Sequence, residues 1–515
     1  MSSDDELSAK ARAALALLEE LAGDLRGLAA LDDELRLRLV TAAGQLSRPD
    51  RYSRKALGKV LARQRVAAKK QADRALLDAT GIRALRREPV FRTPLPRPDQ
   101  ALDAPVRDDE GEPDAWAEAE ARREEAPAAR VTDSRLCYVC KTHFHELHSF
   151  YDQLCPPCAE LNFGKRTPTT DLRGRIALVT GARVKIGYQA AIMLLRAGAE
   201  VIVVTRFPRD AARRFAREVD AATWARRLRV YGVDLRHTPS VERLCAHLVA
   251  TLPRLDALIN NACQTVRRAS GWYDHVLDRE GEPATGLEAG MLDGQRALTA
   301  GDAAAPTALA TAGGLWQSAV LSQVPLLAED LERGHHLYPQ GRLDQDLQQV
   351  DLRERNSWRY RLDDVPTAEL LEVHLVNAVA PFVLAARLRP LLARVPTRDA
   401  HVVNVSAMEG QFYRRWKTDK HPHTNMAKAA LNMLTRTSAA DFIRDGIHMN
   451  SVDTGWVTDE DPLHHAERKQ RIHDFHPPLD IVDGAARIVD PVFDGIATGR
   501  HVWGLFLKDY KATPW

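Results

Sequence analysis

The stretch Ile176-Ala-Leu-Val-Thr180-Gly181-Ala-Arg183-Val-Lys185-Ile186-Gly187 decides the fold of this chain. An apolar, β-branched string runs into a turn bounded by glycines, and a helical pattern starts directly behind it. Glycine at such a turn lets the backbone approach a pyrophosphate, and a helix N-terminus offers free N–H groups and positive potential to the anion. Lys185 takes the place of a middle glycine; it adds charge near the phosphate position and costs some closeness of approach. The second apolar string, Val201-Ile-Val-Val-Thr205, ends eighteen residues beyond Gly187 and is followed by Arg206. An acidic residue there would hold a ribose diol. A guanidinium suits a 2′-phosphate, so Thr205 and Arg206 favour NADP(H), with NAD(H) still open.

The same pattern continues outward. Leu255-Asp-Ala-Leu-Ile259 and His401-Val-Val-Asn-Val405 are further apolar strings, separated by helical stretches. Near-continuous apolar strands between helices indicate a doubly wound α/β fold on a buried parallel sheet, over residues 171–515. Residues 264–365 break the rhythm. They are rich in Gly, Ala, Asp and Gln, hold Trp272, Tyr273, Trp316, Trp358 and Tyr360, and read as an insertion that lids a substrate pocket.

Upstream, residues 131–168 form a separate small module. Cys137-Tyr-Val-Cys140 is followed after fourteen residues by Cys155-Pro-Pro-Cys158. Each CxxC turn aims two thiolates at one point, and four sulfurs complete the tetrahedron that structural zinc takes. Free or redox-active dithiols are the other option, and His143, His145 and His148 lie close enough in sequence to replace a ligand. Phe144, Phe150, Tyr151 and Leu154 are the expected core of this module.

Residues 1–87 read as helical. Leu18, Leu21, Leu25 and Leu28 fall on one stripe of a helix over 6–31, a second helix covers 32–45, and a third runs from Ser53 toward Thr80 with Gly81 as its C′ residue. The third is basic (Arg54, Lys55, Lys59, Arg63, Arg65, Lys69, Lys70, Arg74), which fits a solvated face better than a nucleic-acid contact. Residues 88–130 carry Pro89, Pro94, Pro96, Pro98, Pro105 and Pro113 among acidic and Ala-rich stretches, the composition of a linker.

Composition narrows the function. The 515 residues are 45% hydrophobic and 28% charged, a folded protein's balance. Lys+Arg is 72 against Asp+Glu 70, and a net charge of +2 does not argue for nucleic acid. The sequence holds no apolar run near the ~18 residues of a membrane helix, and its acidic start is not a signal peptide, so a cytoplasmic protein is expected. Six cysteines, four of them crowded into 137–158, argue against a disulfide framework.

The order of motifs over residues 171–515 resembles the short-chain dehydrogenase/reductase (SDR) family, with its Rossmann-type sheet, in a branch with an N-terminal zinc module. Asp234 after Val230-Tyr-Gly-Val233 matches the aspartate that holds the adenine. Asn260-Asn261-Ala262-Cys263 matches the family's Asn-Asn-Ala-Gly stretch. Asn377, Ser406 and Lys428 match three members of the catalytic tetrad. Asn450-Ser-Val-Asp-Thr-Gly455-Trp-Val457-Thr458 matches the loop that closes over the nicotinamide, with Thr454 where proline is usual. The resemblance therefore implies a cofactor site of Gly181, Arg183, Lys185, Ile186, Gly187, Thr205, Arg206, Asp234, Asn261, Ala262, Lys428, Gly455 and Val457. It also implies a small-molecule substrate and a homodimer or homotetramer.

One departure bears on chemistry. The family's Tyr-x-x-x-Lys reads Thr424-Asn-Met-Ala-Lys428. A phenol starts near pKa ~10 and is brought into range by a neighbouring lysine, whereas an aliphatic hydroxyl starts far higher. Tyr413, which forms its own Tyr-x-x-x-Lys with Lys417, and His423 are the two candidates for the missing acid/base. The expected function is an NADP(H)-dependent oxidoreductase. The alternative is a catalytically impaired relative that binds dinucleotide as a sensor and docks protein partners through the zinc module or the N-terminal helices.

Overall fold

The computed structural model describes residues 3–95, 129–168, 170–300, 318–331, 334–413 and 417–515. Most of the expected linker, with Pro96, Pro98, Pro105 and Pro113, lies outside the described residues, as does Trp316 of the insertion. Two compact units are present, Met1–Ala75 and Leu76–Trp515.

The first unit is helical. Its first helix, Ser3–Gly23, stops earlier than the leucine stripe suggests. Asp24 accepts a hydrogen bond from the Arg26 N–H and caps a short 3₁₀ helix, Leu25–Ala30, and Leu25 is left 70% exposed. Asp32 caps the next helix, Asp33–Ser47, by accepting from the Leu35 N–H. The basic side chains on helix Arg51–Asp78 face solvent.

The second unit is built on a sheet with the spatial order β5-β4-β3-β6-β7-β8-β9-β10. Its strands are β3 (Ile176–Thr180), β4 (Glu200–Thr205), β5 (Leu228–Gly232), β6 (Ala257–Asn260), β7 (Ala400–Ser406), β8 (Ile447–Asp453), β9 (Phe506–Lys508) and β10 (Lys511–Thr513). Neighbours pair in parallel except β9 with β10. The apolar strings become strands buried on both faces. Ala177 and Val179 join a core with helices Lys185–Arg196 and Ile481–Thr498. Ile176 and Leu178 join the opposite core with Thr238–Thr251, Ala380–Leu392 and Pro422–Phe442. Alternation of side chains across the sheet makes this split. Strand order reverses direction at β3 and β6, which opens a crevice at their carboxyl ends, the place where such folds bind ligands.

Helix Thr367–His374, the π-helical turn Leu375–Val379 and helix Ala380–Leu392 join into one run. This corrects the sequence expectation about apolar length. Thr367–Leu392 is long and apolar enough to cross a membrane, with a mean hydropathy of 1.5 over its most apolar window. Half of that window is buried, and Ala380, Val383, Leu384 and Leu388 pack into the sheet's core.

The cysteine module is a β-hairpin, β1 (Arg130–Leu136) with β2 (His143–Glu146), followed by helix Pro156–Lys165. Its expected core divides. Phe144 packs with Leu77, Val131, Leu147 and two of the cysteines, whereas Phe150, Tyr151 and Leu154 are buried in the core of the sheet unit. Buried polar bonds hold the same seam: the Tyr151 hydroxyl donates to Asp483 at 2.5 Å, and Arg166 bridges Asp480 and Asp483 at 2.9 Å. The module is thus part of the sheet unit's core. Gly81 opens helix Gly81–Leu85. It does not act as a C′ residue; a Cβ there would lie 2.5 Å from the Phe150 ring, so glycine permits close packing.

The insertion folds as short helices around a core of Phe207, Trp272, Tyr273, Val276, Ala319 and Tyr338. It lies over the carboxyl ends of β4 and β5: the Gly232 N–H donates to Gln295, the Ser318 hydroxyl to the Arg206 carbonyl, and Arg183 to Gln348. Its contacts reach the nucleotide end of the crevice, beyond the substrate side expected of a lid.

Candidate active site and cysteine cluster

The turn after β3 is tied to the end of β6 across the crevice. The Asn261 side chain donates to the Thr180 and Gly181 carbonyls at 3.0 and 3.2 Å, and the Ala262 N–H donates to the Thr180 hydroxyl at 3.0 Å. Gly181 has φ +68°, and a Cβ on it would lie 2.7 Å from the Ala262 backbone. A Cβ on Gly187 would lie 2.6 Å from the Gly181 carbonyl. Only glycines leave this cradle open, which is the geometry a pyrophosphate needs. Lys185, at φ 56°, keeps the left-handed conformation of the glycine it replaces. Its ammonium is held above the ordinary lysine range, against the effect of burial, by the charges of Glu460, Asp346 and Asp344. Ile186 contacts the site of Gly484, where a Cβ would come within 2.9 Å of it.

Arg183 is buried and committed to structure. It donates to Asp210 at 2.7 Å and to Gln348 at 2.5 Å. Arg206 is placed differently. It donates to the Tyr273 hydroxyl at 2.8 Å and lies over the Phe207 and Tyr273 rings, with no carboxylate in ion-pair contact among the described residues. The Thr205 hydroxyl accepts from the Phe207 N–H at 3.2 Å and shapes the turn that presents Arg206. Asp234 is clasped by Arg236, which also bonds Glu372 at 2.5 Å; ionic hydrogen bonds from Arg236 outweigh burial and lower the Asp234 pKa. Sequence reasoning missed Glu280, an insertion residue that accepts the Arg209 and Asp210 N–H groups at the start of helix Pro208–Ala216. Burial raises its carboxyl to about 7.

The carboxyl end of β7 gathers the expected catalytic residues. Ser406, Thr424 and Lys428 are buried, and Thr424 and Lys428 share one face of helix Pro422–Phe442 four residues apart. Lys428 Nζ donates to the Val405 carbonyl at 2.6 Å. The Ser406 Oγ and Thr424 Oγ1 atoms are buried without a hydrogen-bond partner. Buried hydroxyls are usually paired, so these two stand as hydrogen-bonding groups still to be satisfied at the carboxyl end of β7. Asn377 sits in the π-helical turn, and its amide clamps the Gln264 backbone, accepting at 2.7 Å and donating at 3.2 Å. π-turns recur at functional positions.

The two acid/base candidates part company. Tyr413 is 51% exposed, and among the described residues no hydrogen bond ties it to Ser406 or Lys428. His423 is buried, with its Nε2 3.4 Å from the Glu369 carboxylate on helix Thr367–His374, and among the described residues no hydrogen bond ties it to Ser406 or Lys428 either. Beyond β8, the Asp453 side chain accepts the Gly455 N–H at 2.9 Å, and the Tyr138 hydroxyl accepts the Trp456 N–H at 3.0 Å. Val457 is buried beside Gly484. Tyr138 lies between the first two cysteines, so the cysteine module grips the loop directly.

The Sγ atoms of Cys137, Cys140, Cys155 and Cys158 lie within 4.8 Å of one another. Tetrahedral zinc with Zn–S bonds near ~2.3 Å places its sulfurs about 3.8 Å apart, so this donor set fits the ion. Hydrogen bonds with Thr142 pull the Cys140 thiol down to about 6, while burial pushes Cys155 and Cys158 up. The histidines are engaged elsewhere: His143 with Ser134 at 3.3 Å, His145 with the Val131 carbonyl at 3.1 Å, and His148 as acceptor of the Phe150 N–H at 3.0 Å.

Fold and site together define a Rossmann-type α/β protein with Ser406 and Lys428 buried at the carboxyl end of β7. Residues 175–275 match the family model described as short chain dehydrogenase, and residues 354–477 match that described as Enoyl-(Acyl carrier protein) reductase. The chain belongs to the short-chain dehydrogenase/reductase family, whose chemistry is oxidoreduction. It is 30% identical over 381 residues to Uncharacterized protein R665 of Acanthamoeba polyphaga mimivirus, covering 71% of this chain and 72% of that protein. Retinol dehydrogenase 11 of Mus musculus is 33% identical over 120 residues, covering 22% of this chain and 38% of that protein. Among solved structures, the RhlG/NADP complex of Pseudomonas aeruginosa is 18% identical with a TM-score of 0.40, covering 66% of this chain and 95% of that one. The NADPH-bound carbonyl reductase from chicken fatty liver is 18% identical with a TM-score of 0.40, covering 67% and 100%.

Proposed function

We propose that this chain is an NADP(H)-dependent oxidoreductase acting on a carbonyl, an alcohol or an activated double bond. The observation that carries it is the pair of buried, partnerless hydroxyls of Ser406 and Thr424 beside Lys428, at the end of the crevice lined by Gly181 and Gly187. The bound nicotinamide supplies or accepts a hydride. Ser406 holds the substrate oxygen by a hydrogen bond, and Thr424 completes the pocket. Lys428 binds the ribose and raises the local positive potential. Arg206, with no carboxylate partner among the described residues, receives the 2′-phosphate. His423, buried with its Nε2 3.4 Å from the Glu369 carboxylate, moves the proton, because Tyr413 is half exposed and Thr424 lacks the acidity. A zinc ion held by the four cysteines is structural, since a closed four-sulfur site leaves no position for substrate. By its family resemblance the protein works as a homodimer or homotetramer.

The test is NADPH oxidation across a panel of carbonyl and activated-alkene compounds and NADP+ reduction across a panel of alcohols, with Thr424→Val, Tyr413→Phe and His423→Gln assayed for turnover and for NADPH affinity. His423→Gln is expected to lose ~10²–10⁴-fold in turnover while keeping the cofactor, and Thr424→Val to be mild. NADPH binding with no turnover on any carbonyl, activated alkene or alcohol would establish the non-catalytic alternative.

A further inference from the structure

The amino-terminal ends of β7 and β8, away from Ser406, carry a second cluster of ligating side chains. The register of these strands sets His401 beside His448 on one face of the sheet. His501, in the loop before β9, completes a triangle: ring centroids are 5.3 Å apart for His401 and His448, 5.1 Å for His401 and His501, and 4.8 Å for His448 and His501. We propose that His401, His448 and His501 bind a divalent first-row transition metal ion, with Zn²⁺ the natural candidate.

One nitrogen from each ring lies within 4.8 Å of the other two. His401 Nε2 and His501 Nδ1 are 3.0 Å apart. Tetrahedral zinc with Zn–N bonds of ~2.0–2.1 Å holds its nitrogens about 3.3 Å apart, so small side-chain rotations reach the bound geometry. The tautomer is already arranged at His448. Its Nδ1 faces the Ala400 carbonyl at 3.3 Å, which leaves the Nε2 lone pair free, as outer-shell carbonyls do for ligating histidines. The surroundings are shaped for the rings. A Cβ on Gly495 would lie 2.6 Å from His501 Nδ1 and 3.2 Å from His401 Cε1, so helix Ile481–Thr498 approaches there only because it carries glycine. The neighbouring carboxylate, Asp399, is held by Arg175 through bonds of 3.0 and 2.8 Å. Three imidazoles therefore leave a fourth position for water, and the half-buried His501 gives the ion access. His401 and Ser406 lie five residues apart on β7, about 16 Å at ~3.3 Å per residue, so this ion takes no part in hydride transfer. It would pin the β9 end of the sheet to β7 and β8.

The experiment counts metal on the whole chain. Wild type, His501→Ala and His448→Gln are saturated with Zn²⁺, desalted, and measured by inductively coupled plasma mass spectrometry, with circular dichroism to confirm folding. Each histidine variant is expected to hold one equivalent less than wild type, whatever the cysteine cluster retains, and to bind NADPH as wild type does. Cobalt supplies a second readout that needs no variant. Thiolate-to-cobalt charge transfer reports the cysteine site alone, so the proposal expects one further Co²⁺ to bind after that band saturates. Equal zinc content in wild type and folded His501→Ala, with no cobalt beyond the saturated band, would overturn the site and leave a cluster of tilted imidazoles in which His401 bonds His501 and His448 bonds the Ala400 carbonyl.

Discussion

Replacing Tyr138 by phenylalanine removes one oxygen and tests whether the cysteine module serves the cofactor site. That oxygen accepts the Trp456 N–H at 3.0 Å and lies 3.4 Å from where a Cβ on Gly455 would stand. Gly455 and Val457 flank Trp456 in the loop expected to close on the nicotinamide. A neutral hydrogen bond contributes about 1 kcal/mol net, and the half-exposed surroundings of Trp456 let water replace part of it. If closed-loop order is needed to hold NADPH, a loss of ~0.7–1 kcal/mol appears as roughly a three- to five-fold rise in Kd. The assay is NADPH titration by calorimetry on wild type and Tyr138→Phe, with zinc counted on both samples. Zinc content should stay unchanged in the variant. Stripping zinc from wild type with a chelator should weaken NADPH further, because it frees the whole Cys137–Cys140 turn. An unaltered Kd in the variant, and again in folded zinc-free protein, would refute the link between knuckle and loop.

Other outcomes follow from the same geometry. Arg206→Ala should weaken NADPH by ~1–3 kcal/mol and leave NADH nearly unchanged; equal loss for both cofactors in titration would show that the guanidinium does not read the 2′-phosphate. Cys155→Ser should lower the zinc retained per chain, because His143, His145 and His148 are engaged elsewhere; retention of all the zinc would point to a histidine ligand. Glu280 has its carboxyl raised from 4.5 to about 7 by burial, so its stabilising contribution is complete below about pH 4.5 and is lost as pH rises through 7. Chemical denaturation at pH 5 and pH 8 should therefore show a fall in stability that is smaller in Glu280→Gln.

The sheet was readable because its strands are buried on both faces. Ile176–Thr180 appears in the sequence as an unbroken apolar string, and the strand has those bounds. The cysteine spacing was readable for a similar local reason, since CxxC dictates a turn. What failed to show was set by distant partners or by single caps. The leucine stripe runs past Gly23, but Asp24 ends the helix by capping the following turn. Gly81 resembles a C′ residue, yet its smallness answers to Phe150, far along the chain. Phe150, Tyr151 and Leu154 belong to the sheet unit because Tyr151 and Arg166 meet Asp483 more than three hundred residues away. The exposure of Tyr413 also depended on a loop whose path no local pattern fixes, whereas His423 was placed by the register of its helix against Glu369.

The two additions to the family fold act at opposite ends of one crevice. The insertion grips the β4–β5 end, through Tyr273 on Arg206, Gln348 on Arg183, Glu280 at the helix after β4 and Gln295 on Gly232. The cysteine module grips the far side, through Tyr138 on Trp456 and Gln153 on the His476 carbonyl. A cofactor lying between β3 and β6 would touch elements steadied by both. Each addition uses buried ionic or phenolic contacts, which cost much to leave half-made. Arg267 illustrates this: it bonds Asp330 within the insertion and Glu372 on the helix that leads to Asn377. Loosening the insertion would therefore disturb Glu372, and through it Arg236 and Asp234, before it reached Ser406. Damage to the insertion should thus appear first in nucleotide affinity and only later in turnover, whereas damage at His423 should show the reverse order.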